Sequence, residues 1–271
     1  MAGIAQRAEK FRRRNRPFTP IALCRFAWAA RSCRPCLSGC IRDVLRMAYV
    51  HEQEAARPGA VETVGALLQA EGAKGHPYIA SQIFARGREA SRDLADAVHL
   101  LSSLHGGGAG VIDQARGRTA AGPVRGWLDA ATEGFAAERA YLMRVVVAAG
   151  PLPSTPGQAR CEAAVAGQRH ALDMLGRSDR AGCALGAAVA LVLDWRAIRT
   201  VIDAAAQRFG VALVPPALPS PRRTMAAVAD AVAEAPVDRA MMFGAQQLLI
   251  QHRGLWGLLE ARAEARNGVG P

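Results

Sequence analysis

The sequence predicts an all-α fold, an antiparallel helical bundle of about five long helices with one or two short ones. Three observations point there. Alanine, the strongest helix former, supplies much of a hydrophobic content of 51%, while aromatic residues make up only 5%. β-branched residues other than valine are sparse, which disfavours strands. From Met47 onward, apolar residues recur at spacings of three and four between short stretches rich in Gly and Pro.

The first segment, residues 1–46, shows no such period. It carries eleven basic residues against Glu9 and Asp43, so it holds +9 of the chain's net +11, and residues 47–271 hold +2. Four of the six cysteines lie there as well: Cys24, Cys33, Cys36 and Cys40. The apolar stretch Ile21–Ala30 is broken by Arg25, which argues against a secretion signal. Cys33, Cys36 and Cys40 resemble half a zinc site without a second ligand pair. The segment is expected to be a non-native or disordered basic extension. It reads either as upstream sequence translated from a misplaced start, with Met47 the true start, or as a basic arm. Residues 47–271 are expected to form a single helical-bundle domain.

The elements follow in order. A short helix over 60–71 aligns Val61, Val64, Leu67 and Leu68 and stops at Gly72. Pro77 suits the first turn of a long helix, expected from about 78 to 105. Its seam is Ile83, Gly87, Ala90, Leu94, Ala97, Val98, Leu101 and Leu104, and Gly106–Gly110 ends it. A second long helix at about 123–149 aligns Val124, Leu128, Ala131, Phe135, Leu142, Val146 and Ala149. In the loop that follows, Thr155 is placed as N-cap, Pro156 as first helical residue and Gln158 as capping-box partner. The third helix, about 156–177, turns Cys161, Ala164, Val165, Leu172 and Leu175 inward.

A fourth helix covers about 180–209, and its run Ala181–Leu193 carries no charge on any side. It is therefore the element around which the others pack. Thirteen residues are too few to span a bilayer, so no membrane partner is expected. Beyond the turn Val214–Pro221 come a shorter helix near 222–235 and a last long one at about 237–265.

The near-balanced charge of the body excludes a broad phosphate-binding face, so no nucleic-acid partner is expected. Cys161 and Cys183 sit inside helical patterns as small core hydrophobes, which fits a reducing, cytoplasmic setting. There is no G-x-S-x-G, no Walker loop and no dinucleotide glycine motif after a strand.

What chemistry the chain has must come from polar side chains in apolar seams. Asp96-x-x-His99 shares a helix face, as di-metal carboxylate sites do. Stepping 100° per residue from Leu94 sends both to the side away from the seam, a solvated face. His170 also leaves the seam of its helix. Six residues land on apolar seams instead: His105, Glu138, Arg139, Gln168, Asp194 and His252. His252 is ringed by Leu248, Leu249, Leu255, Trp256 and Leu259. Buried charges must be paired or hydrogen-bonded. The simplest expectation is a structural pair of Arg139 with Asp194 or Glu138. The alternative is a polar pocket in which His105 and His252 serve as ligands or acid–base groups, with Glu138 or Asp194 as the carboxylate. No cofactor is expected under the first reading; a two-His, one-carboxylate set would suit iron or manganese under the second.

The runs HPYIASQ at 76–82, AGPLPSTPGQA at 149–159, GCALGAA at 182–188 and VLDWRAIR at 192–199 resemble an uncharacterised all-helical domain-of-unknown-function family. That family is found in GC-rich alphaproteobacteria, sphingomonads among them, and the use of arginine for all basic residues but Lys10 and Lys74 accords with such a source. The resemblance covers about residue 47 to the end. It implies an all-helical fold and no particular activity. Two functions are therefore expected to compete: a non-enzymatic protein acting by association, with a homodimer as its candidate form, and a ferritin-like bundle binding a metal or small molecule.

Overall fold

A helix with no charged face has to be enclosed by others, and this governs the architecture. The computed structural model describes residues 59–81, 84, 89–231 and 235–268, all within one of the chain's two compact units, Pro58–Pro271. The basic extension at 1–46, its cysteines and the boundary expected at Met47 lie outside the described residues.

Every regular element among the described residues is helical. They are α1 (Ala60–Glu71), a 3-10 turn (Ala73–Gly75), α2 (Pro77–Ala80), α3 (Ala90–His105), α4 (Val111–Arg118), α5 (Pro123–Ala149), α6 (Gln158–Arg177), α7 (Cys183–Arg208), α8 (Pro221–Ala231) and α9 (Ala235–Asn267). No helix among these is long and apolar enough to cross a membrane.

Helix α7 carries the uncharged run, and Gly186 through Trp195 are all buried. It packs against α3, α4, α5, α6 and α9, so the core is organised around it. Its most extensive partner is α9. The two approach backbone to backbone: a Cβ on Gly186 would overlap the Met241 carbonyl, and one on Gly244 would overlap the Cys183 carbonyl. Glycine is required at both places because nothing larger than hydrogen fits.

The structure corrects four expectations. The single helix expected over 78–105 is α2, a turn at Ser81, and α3 beginning at Ala90; Ile83 and Gly87 lie outside the described residues. After Gly110, where no element was expected before residue 123, stands α4, whose first turn is secured by Gly110 N–H donating to Asp113 Oδ2 at 2.9 Å. Together with α1, α2 and α8 this makes four short helices among the described residues, where one or two were expected. Thr155 is not an N-cap: α6 starts after Gly157, which adopts a φ of +78°. Gln158 donates to Glu162 at 2.8 Å instead of closing a capping box. The Thr155 hydroxyl is drawn away because it accepts from Arg262 at 3.2 Å and from Arg266 at 3.1 Å.

Candidate functional site

Three of the six seam residues meet in the core. His105 ends α3, Asp194 lies in the middle of α7 and His252 in the middle of α9. His252 is 0% exposed and Asp194 3%. The Nε2 atoms of the two imidazoles are hydrogen-bonded at 3.0 Å. His252 Nδ1 donates to Asp194 Oδ2 at 2.6 Å. The other carboxylate oxygen, Oδ1, accepts the Ala73 N–H at 2.7 Å. The result is a line of polar groups, His105–His252–Asp194–Ala73, that ends on the 3-10 turn between α1 and α2.

Aromatic rings enclose one end of this line. His105 packs edge-on against Trp195, with centroids 5.5 Å apart, and against Phe135 at 6.0 Å. Burial holds the His105 pKa well below the ordinary imidazole value, and the neighbouring His252 and Arg139 push in the same direction. The surroundings of His105 thus favour its neutral form.

Glu138 stands beside the line but joins a different network. Its carboxylate accepts Trp195 Nε1–H at 3.1 Å, Arg199 Nη1 at 2.8 Å and the Ala217 N–H at 2.9 Å. Arg199 also donates through Nε to Asp203 at 2.8 Å and through Nη2 to the Val214 carbonyl. This buried pair ties the segment 214–217 to α5 and α7. Tyr141 donates to the same Asp203 at 2.8 Å; burial, then Asp203, raises its pKa to about 12.

The ion pair expected from Arg139 is not the one formed. Arg139 is half-buried, donates to the Gly108 carbonyl at 3.0 Å and lies over the Phe135 ring. Arg199, one helical turn past Trp195, takes its place because it reaches the interior from α7. Gln168 is also apart from the others: it is half-buried beside Gly254, and its Oε1 has no hydrogen-bond partner.

Asp96, expected on a solvated face, is 1% exposed. It accepts from Arg262 at 2.9 Å and from Arg266, which also pairs with Asp93. The projection from Leu94 assumes that α3 has one buried face, yet α3 packs on α5, α6, α7 and α9 and is buried nearly all round. The signal was present in the sequence: two acids three residues apart on one helix and two arginines four apart on another. His99 is half-buried and bonds the Gly150 carbonyl at 2.8 Å; His170 is exposed.

The two imidazoles and Asp194 lie in a row, each nitrogen facing its neighbour, and they do not converge on a common point. Among the described residues no group of three or more His, Cys, Asp or Glu side chains does so. The donor set does not fit the iron or manganese site expected as an alternative.

The polar line connects two spaces. At the His105 end is a small cavity of about 30 Å³ under the Gly106–Gly110 loop, closed by Leu172 and Leu191 and bordered by Arg169. At the Asp194 end is an open groove of about 770 Å³ between α1, the 3-10 turn, α7 and α8. Leu68, Ile79, Leu193, Ala197 and Met225 give the groove an apolar wall, and Lys74 and Arg196 line it as cations.

Residues 68–267 match the model of a family of unknown function, DUF6975. No curated protein matches the chain, and no solved structure does.

Proposed function

The chain belongs to the family of unknown function DUF6975, and we propose that it is a small-molecule-binding helical bundle whose ligand site is the groove over Asp194. The observation that carries this reading is the floor of the groove. A buried carboxylate is held there on both oxygens, by His252 Nδ1 and by Ala73 N–H, and it lines a mostly apolar space of about 770 Å³. Ligand sites commonly combine a largely apolar wall of that size with a few fixed polar groups. The imidazole line behind Asp194 acts as a positioning device: it orients the carboxylate, and the carboxylate anchors the turn that carries Lys74. No catalytic step is assigned to it.

The test uses Gly65, which lines the groove and where an added Cβ would meet nothing within 4 Å. A small-molecule library is screened by thermal shift against the natural chain and the Gly65→Phe variant. Compounds that raise the midpoint of the natural chain and lose that effect in Gly65→Phe support the groove. A library without groove-dependent hits counts against it.

A second reading, association with a further copy or another protein, rests on side chains that remain uncovered. Val147 is 77% exposed, and Met143, one turn away on α5, is exposed with it. Sedimentation over a range of concentrations tests this, since a strict monomer excludes the homodimer. We place the protein in the cytoplasm of a GC-rich alphaproteobacterium; the buried free thiols of Cys161 and Cys183 support the compartment.

A further inference from the structure

We infer that the groove's ligand is an amphipathic anion, a molecule with an apolar body and one carboxylate or phosphate head. The inference rests on the groove reading above and adds the chemistry of its occupant.

Three observations carry it. Lys74 and Arg196 line the groove, both are exposed, and among the described residues neither has an ion pair or hydrogen bond. Among the described residues of the lining the only acid is Asp194, whose oxygens already accept from His252 and Ala73. Among the described residues the groove therefore offers two cations without a partner against one carboxylate that is answered from within the fold. Between them the wall is aliphatic, with Leu68, Ile79, Leu193 and Met225. A cationic ligand would meet two like charges, and a purely polar one would leave that wall wet.

The position of Lys74 strengthens the case. It is the one lysine in residues 47–271, where the other 22 basic residues are arginine. It lies in the 3-10 turn Ala73–Gly75, and Ala73 N–H is the group that Asp194 holds at 2.7 Å. The buried line His105–His252–Asp194 thus fixes the turn that presents the ammonium group. Lysine serves here as a compact point charge on a flexible stem, able to follow a head group at the rim.

Binding of three probes with the same ten-carbon body is measured by calorimetry on the full chain: decanoate, decanol and decyltrimethylammonium. Decanoate is expected to bind at least about tenfold more tightly than the cationic probe, with decanol between them. The double variant Lys74→Gln/Arg196→Gln is expected to lose the advantage of decanoate and keep the affinity for decanol. Retained decanol binding also shows that the variant is folded. Decyl phosphate in place of decanoate separates a phosphate from a carboxylate preference; either satisfies the inference. Equal or tighter binding of the cationic probe overturns it, as does unchanged decanoate affinity in the double variant. If Gly65→Phe blocks all three probes but charge makes no difference, only the anion inference falls. If Gly65→Phe blocks none, the groove reading itself falls. A dimer that Gly65→Phe converts to monomer would give the groove to a second copy and overturn both.

Discussion

His105 and His252 face each other across 3.0 Å through their Nε2 atoms, so a single proton lies between two buried imidazoles. A second proton there would turn two N–H donors on each other and place a positive charge where no water can solvate it. His252 spends its other nitrogen on Asp194 at 2.6 Å.

The stability of the protein should therefore fall on acidification. Burial depresses the His105 pKa in the folded state, so below the unfolded value of about 6.5 the unfolded chain binds a proton that the folded chain refuses. Stability from this group is complete above about pH 6.5 and is lost as pH falls below it, by at most about 1.4 kcal/mol per pH unit. His76, lowered by burial, works in the same direction. Urea midpoints at pH 7.5 and 5.5 measure the effect. His105→Gln, whose amide nitrogen can occupy the place of Nε2, should shrink the difference. An undiminished difference in that variant would mean the acid sensitivity lies elsewhere.

Glu138 and Arg139 are adjacent in sequence and should differ in how much they cost when replaced. Glu138→Gln leaves the buried Arg199 with the half-buried Asp203 as its remaining counter-charge and weakens the hold on the Ala217 N–H. The expected cost is about 3–5 kcal/mol. Arg139→Ala removes one bond to a loop carbonyl and a ring contact, at about 1 kcal/mol. Chemical denaturation of both variants compares them, and hydrogen exchange should rise in residues 211–217 only for Glu138→Gln.

Glycines in helices should likewise split into two kinds. Gly186→Ala drives a methyl group into the Met241 carbonyl and must push α7 and α9 apart, with a loss of about 1–3 kcal/mol or more. Gly65→Ala adds a methyl where nothing stands within 4 Å and should gain about 0.5–1 kcal/mol from reduced backbone freedom. Thermal midpoints that moved the same way in both would contradict the backbone contact between α7 and α9.

The clasp at Asp96 gives a fourth comparison. Asp96→Asn leaves Arg262 and Arg266 short of a buried counter-charge, at an expected cost of about 3–5 kcal/mol. The last turns of α9 should then exchange amide hydrogens faster. His170→Ala, on an exposed face of α6, should stay within about 0.5 kcal/mol of the parent. Equal stability of the two variants would show that the Asp96 pairs contribute nothing.

How far the sequence carries differs between elements. The bounds of α1 were legible, since Gly72 ends it, but of the face expected from Val61, Val64, Leu67 and Leu68 the first residue is exposed. Helix α4 was hidden because eight residues give barely two turns of periodicity, and the glycines before it read only as the stop of the preceding helix. His105, Asp194 and His252 could be singled out because each breaks an apolar seam. Their hydrogen bonds could not, because they span 147 and 58 residues of chain.

By itself the sequence determined the helical class, the central place of α7 and the identity of the polar groups forced into the interior. These follow from composition and from a 3.6-residue period, which are local properties of the chain. Only the tertiary structure decided which charges pair, Glu138 with Arg199 and Asp96 with Arg262 and Arg266, and that Asp194 reaches both a histidine and the turn bearing Lys74. A single-helix projection knows one face, whereas a buried side chain answers to every helix packed around it. Partner choice is therefore set by packing distances of a few ångströms between segments remote in sequence, on which local periodicity is silent.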